Sequence, residues 1–63
     1  MKNKPTCKLI GTDGNVFSLI GNVVKTLKKH NLITESKEFQ QRAFGAKSYD
    51  EVLTIIHEYV DIE

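Results

Sequence analysis

The stretch KLIGTDGNVFSLIGNVV, Lys8 to Val24, decides the fold of this chain. Asp13-Gly14 between apolar runs is a hairpin signal, because a type I′ turn needs positive φ at both central positions, and it would require a return strand over residues 15–20. The downstream spacing argues the other way. At about 100° per residue, Val16, Ile20, Val23 and Leu27 share one face flanked by Phe17, Leu19 and Val24, while Ser18, Asn22, Lys25 and Lys29 fall opposite. A strand alternates with period two and does not sort its residues this way. The spacing predicts a strand, a glycine turn and then a helix from Val16 to Lys29, with Asp13 or Asn15 supplying the side-chain oxygen that caps the free N–H groups. Asn31 suits a left-handed stop, and Lys25, Lys28 and Lys29 sit at the negative end of the helix dipole.

Working outward, Met1 to Pro5 is polar, basic and interrupted by a proline, and reads as a flexible arm (1–5) ahead of a single compact domain (6–63). Residues 6–10 place Cys7 and Leu9 on one side and Lys8 on the other, as a short strand does. After the apolar connector Leu32-Ile33, Thr34 or Ser36 can cap a second helix that runs to Phe44 with Phe39 and Ala43 inward, and Gly45 ends it. Ser48-Tyr49-Asp50-Glu51 is a capping box that opens a third helix. That helix carries Tyr49, Val52, Leu53, Ile56 and Val60 on one face and Asp50, Glu51, Thr54 and Glu58 on the other. Ile55 and Tyr59 widen the apolar face beyond what one neighbouring helix usually covers, so the excess should meet the strand or another chain. The tail Val60-Asp61-Ile62-Glu63 alternates like a strand and can return beside residues 6–10, bringing Lys8 near Asp61 or Glu63. The expected architecture is a small α+β domain of order β-α-α-α-β, three helices packed with a two-stranded ribbon made from the chain ends.

With 63 residues, 40% hydrophobic and 27% charged, the chain has the composition of one small globular domain rather than a disordered one. The apolar runs are too short for a membrane span and the basic N-terminus is not followed by an apolar signal segment, which predicts a cytoplasmic protein. A single cysteine excludes an internal disulfide, and Cys7 within its apolar run reads as a small buried hydrophobe. The net charge of +1 hides a division: residues 1–31 hold six lysines against Asp13 alone, a net +5, and residues 32–63 hold three basic against seven acidic residues, a net −4.

The run Leu9-Ile10-Gly11-Thr12-Asp13-Gly14-Asn15-Val16-Phe17, Gly21, a basic helix end, Glu38-Phe39, Arg42-Ala43, Ser48-Tyr49-Asp50 and Tyr59-Val60 resembles a family of small uncharacterised bacterial proteins. The likeness runs from about residue 7 onward, and GTDGN followed by an aromatic is its most specific part. It implies the strand-to-helix reading and an intracellular bacterial origin. The family has no assigned activity, so it transfers no functional residues.

No catalytic or ligand signature stands out. Residues 11–15 lead a strand into a helix N-terminus, where backbone amides can meet a phosphate, but the P-loop pattern fails because no Lys-Ser or Lys-Thr follows, and Gly11, Gly14 and Gly21 have the wrong spacing for a dinucleotide loop. Asp13 would repel the anion, and with Asn15 it falls short of a calcium loop. A structural turn is the preferred reading. His30 and His57 lack a second ligand at metal spacing and read as surface or boundary residues, and Cys7 with either would form a nucleophile and base only by spatial coincidence. No cofactor, metal or small-molecule substrate is indicated.

Two binding surfaces remain. Lys25, Lys28 and Lys29, with Lys37 and Arg42, form a candidate basic patch for phosphate backbone, whereas Asp50, Glu51 and Glu58 on the third helix would be repelled by it. The apolar flank Val52, Ile55 and Tyr59, between oppositely charged faces, is a candidate anchor for a protein partner or a second copy. The preferred expectation is a non-enzymatic interaction module, self-associating as a homodimer or docking on a charged protein. The alternative is a nucleic-acid-binding accessory protein using the first and second helices.

Overall fold

The computed structural model describes residues 4–9 and 14–63. Five elements follow in the expected order: β1 (Thr6–Cys7), α1 (Val16–Lys29), α2 (Ile33–Phe44), α3 (Tyr49–Tyr59) and β2 (Asp61–Ile62). The fold is the expected α+β arrangement. α1 packs on both α2 and α3, and β1 lies against α1. The strands pair in parallel, Thr6 opposite Asp61 and Cys7 opposite Ile62, and three helices supply the long crossover that parallel pairing requires. Asp61 N–H donates to the Pro5 carbonyl at 2.9 Å, Glu63 N–H to Cys7 at 2.9 Å and Leu9 N–H to Glu63 at 3.0 Å, so the ladder outlasts the two-residue strands.

Local chemistry sets the boundaries. Asn15 caps α1, its side-chain oxygen accepting from the Phe17 N–H at 2.8 Å; the other proposed cap, Asp13, lies outside the described residues, as does most of the 11–15 loop. At the far end Asn31 adopts φ 65°, while Leu32 N–H bonds the Leu27 carbonyl at 2.8 Å and Asn31 N–H bonds that of Lys28 at 3.0 Å, together a Schellman stop. α2 starts one residue before Thr34 and has no side-chain cap. Ser36, proposed as a cap, is fully buried inside the helix, its hydroxyl satisfied by donating to the Ile33 carbonyl at 2.8 Å. The capping box is half as expected: Ser48 Oγ accepts from the Glu51 N–H at 3.1 Å, but the Glu51 carboxylate reaches back to the N–H of Lys47, at 3.2 Å, rather than to that of Ser48.

One core runs through the molecule. Leu19, Ile20, Val23 and Leu27 of α1 meet Phe39 and Ala43 of α2, Val52, Ile55 and Ile56 of α3, and Cys7, Leu9 and Val60 from the ribbon. Cys7 is buried as expected, accepting a hydrogen bond from Thr26 Oγ1 at 3.2 Å. Leu53 is only partly buried and Tyr49 is exposed, whereas Ile55 joins the core, so the inward face of α3 is rotated from the one drawn on periodicity alone. Lys4 and Pro5, read from sequence as part of the arm, are held against α3 and the ribbon: Lys4 Nζ donates to the His57 carbonyl of α3 at 2.6 Å and pairs with Asp61 at 3.8 Å, and the Pro5 carbonyl accepts from the Asp61 N–H. The ion pair of Asp61 is thus with Lys4 rather than with Lys8.

Candidate functional site: an aromatic-rimmed groove

Phe17 sits about 100° from the neighbouring Val16, which is partly buried against the core, and off the buried stripe of α1, and Phe44 follows the buried Ala43 by the same rotation at the end of α2. Both rings are therefore pushed outward, with Phe17 68% and Phe44 59% exposed. Their centroids lie 6.2 Å apart with a 33° tilt, so the ends of the two helices bring them together. Tyr49, in the first turn of α3, is 46% exposed and donates its hydroxyl to the Gly14 carbonyl at 3.0 Å, tying α3 to the entry of α1.

Between these three rings lies an open groove of about 320 Å³. Val16, Ile20, Ala43 and Val52 form its floor, and the connector Ala46-Lys47-Ser48 closes one side. Lys47 is the one charged residue among its described lining residues, so the groove offers apolar contact and no convergent acid–base pair. Large exposed apolar side chains gathered at one place mark a contact surface more often than a random scatter does. Among the described residues, no group of three or more His, Cys, Asp or Glu is placed to hold a metal.

The structure sorts the residues proposed from sequence. Val52 and Ile55 are 5% exposed, and the chain's own core covers them. Ile55 is not available as a partner's anchor in this fold and Val52 contributes only to the floor of the groove, because α3 is covered on more than one side rather than by a single neighbouring helix. Tyr59 is half-buried, edge-on to Phe39 with centroids 5.5 Å apart. Its hydroxyl donates to a Glu38 carboxylate oxygen and accepts from Arg42 Nη1 at 3.2 Å. The side of α3 meant for a partner is thus largely internal structure.

The basic residues divide as well. Lys25, Lys28, Lys29 and Lys37 are exposed. Lys25 and Lys29 converge with Lys8 around a depression of about 210 Å³ between β1 and α1, lined also by Asn22 and Thr26. Arg42 is spent internally. It forks onto Glu58 at 2.7 and 3.0 Å and stacks over the Tyr59 ring at 5.7 Å, joining α2 to α3. His30 and His57 are exposed, His30 with Nδ1 3.0 Å from the Thr26 carbonyl oxygen.

This clamp perturbs its members. The Arg42 hydrogen bonds hold the Glu58 carboxyl below the usual value of 4.5 and raise the guanidinium further above its own. Burial, and then the hydrogen bond to Glu38, raise the Tyr59 phenol. Because the Glu58 pKa is lowered in the folded chain, its stabilising effect is complete above pH 4.5 and is lost as pH falls through the folded value. Glu58→Gln should therefore lower the melting temperature at neutral pH by a small amount and flatten its decline on the acid side of pH 4.5, read by thermal melts across a pH series. An acid limb of unchanged steepness would show that the pair contributes nothing.

Phe17, Phe44 and Tyr49 were not singled out by sequence as a site. The signal for the two phenylalanines was their position off the inward faces; for Tyr49 periodicity pointed inward instead. Among the described residues, no helix is long and apolar enough to cross a membrane. No protein-family model, curated protein or solved structure matches the chain.

Proposed function

We propose that this chain is a small, non-enzymatic, cytoplasmic protein-interaction module whose contact surface is the groove rimmed by Phe17, Phe44 and Tyr49. The carrying observation is the convergence of these three exposed rings on one apolar depression with a single charged lining residue. Aromatic side chains at the centre of a patch supply most of the affinity in protein contacts, with charges at the rim adding selectivity. The wider division between a basic α1 end and an acidic α3 then steers the approach rather than anchoring it.

Capture from the native host tests this reading. Phe17→Ser with Phe44→Ser should lose whatever the wild-type chain retains, and Lys25→Glu with Lys29→Glu should keep it. Retention by the phenylalanine variant would overturn the proposal.

A second reading has its own observation, the convergence of Lys8, Lys25 and Lys29 on one depression with no acidic residue in its described lining. Such a cluster suits nucleic-acid phosphates, and with about three contacts the affinity would fall with salt at a logarithmic slope near −3. Loss of the captured partner only in the lysine variant, with nucleic acid recovered, would favour it.

A further inference from the structure

The groove carries its own filling beside it, since Phe17 lines the depression and projects from it. We propose that the occupant is a second copy of the chain, docked about a two-fold axis with the Phe17–Phe44 ring pair of each copy in the groove of the other. This rests on the reading of the groove as a docking surface. A two-fold contact needs one patch that is complementary to itself, with projection and hollow on the same face.

Gly21 is the second observation. It lies on α1 one turn after Phe17, is exposed, and a Cβ built there meets nothing within 4 Å. Glycine inside a helix sacrifices stability relative to alanine, and nothing described in this chain requires its missing side chain. A backbone passing close to α1 from outside would require it. The Phe17–Gly21 face is accordingly where two α1 helices cross.

Area and charge agree with this occupant. At the observed exposures, and taking about 200 Å² for each ring, Phe17, Phe44 and Tyr49 present on the order of 350 Å² of aromatic surface per copy. That is close to half of the roughly 800 Å² per partner in a standard interface, the remainder coming from the helix face and rim. Lys47 lines the groove, and the Glu51 carboxylate lies next to it, accepting from the Lys47 backbone N–H at 3.2 Å; both residues are exposed, so a two-fold pairing can set opposite charges against each other.

Sedimentation equilibrium from about 1 μM to about 1 mM tests the proposal across the affinities such an interface gives. The wild-type mass should climb from 7.2 kDa toward twice that value. Phe17→Ser should weaken association at least about tenfold, the loss of one aromatic anchor, while its melting profile at low concentration stays close to wild type because the ring is outside the core. Gly21→Ala should do two opposite things: raise the melting temperature of the dilute chain and weaken the dimer. A constant 7.2 kDa, or a dimer indifferent to both substitutions, overturns the inference. If the chain is monomeric while the Phe17→Ser, Phe44→Ser variant still loses a different captured protein, this inference fails and the groove reading stands. If neither association nor capture is seen, both fail.

Discussion

Phe39→Ala is expected to leave the chain largely unfolded near room temperature. Phe39 is fully buried where α2 faces α3, edge-on to Tyr59, and it is the largest fully buried side chain in the domain. Truncating a buried phenylalanine costs about 3–5 kcal/mol, because the lost transfer energy is compounded by a cavity the neighbours only partly close. A domain below about 70–80 residues rarely holds more than about 3–5 kcal/mol in total. The substitution therefore removes most of the margin. Far-ultraviolet circular dichroism should show lost helix signal and no cooperative melt, and a cooperative transition close to the wild-type temperature would contradict the packing described.

Ile55→Asp should be comparably severe, and its meaning is the more useful. On sequence alone Ile55 belongs to an exposed apolar flank, where aspartate would abolish binding and spare the fold. In the structure it is 5% exposed within the core, so the substitution buries a carboxylate among apolar side chains. The carboxylate stays unpaired or takes up a proton, and either course costs several kcal/mol. The expected result is an unfolded chain by circular dichroism and by collapse of amide dispersion. A folded Ile55→Asp variant that fails only in binding would restore the third-helix flank as the contact surface. Phe17→Ser is the matched control: folded, and altered only in what it holds.

The contrast between these residues shows what periodicity can and cannot report. Val16 to Lys29 was legible because one helix face, a capping Asn15 and a left-handed Asn31 all agree, each a local matter settled within a few residues. The box at Ser48 was legible for the same reason, although the Glu51 carboxylate prefers the Lys47 N–H. The misreadings arise where several elements meet. How far round α3 the burial extends depends on what covers its second side, and no single-helix pattern contains that, so periodicity leaves Ile55 on a flank that the strand or another chain could cover and places Tyr49 inward. Arg42 looked like a free cation because its partner Glu58 lies sixteen residues away on another helix. The parallel sense of the ribbon was likewise undetermined by two short alternating segments. Outward residues pose the same difficulty: the positions of Phe17 and Phe44 mark them as off-core, but their meeting, and the groove they rim with Tyr49, exist only once three helix ends have been packed together.

The central claim, the proposed docking of a second copy of the chain in the groove between the ends of α1, α2 and α3, is tested most directly by amide chemical shifts recorded on the wild-type chain over a dilution series. Concentration-dependent shifts should cluster at Phe17, Gly21, Phe44 and Tyr49 and be absent in Phe17→Ser. Shifts confined instead to Lys8, Lys25 and Lys29, or a spectrum that does not change with concentration, would contradict the two-copy account.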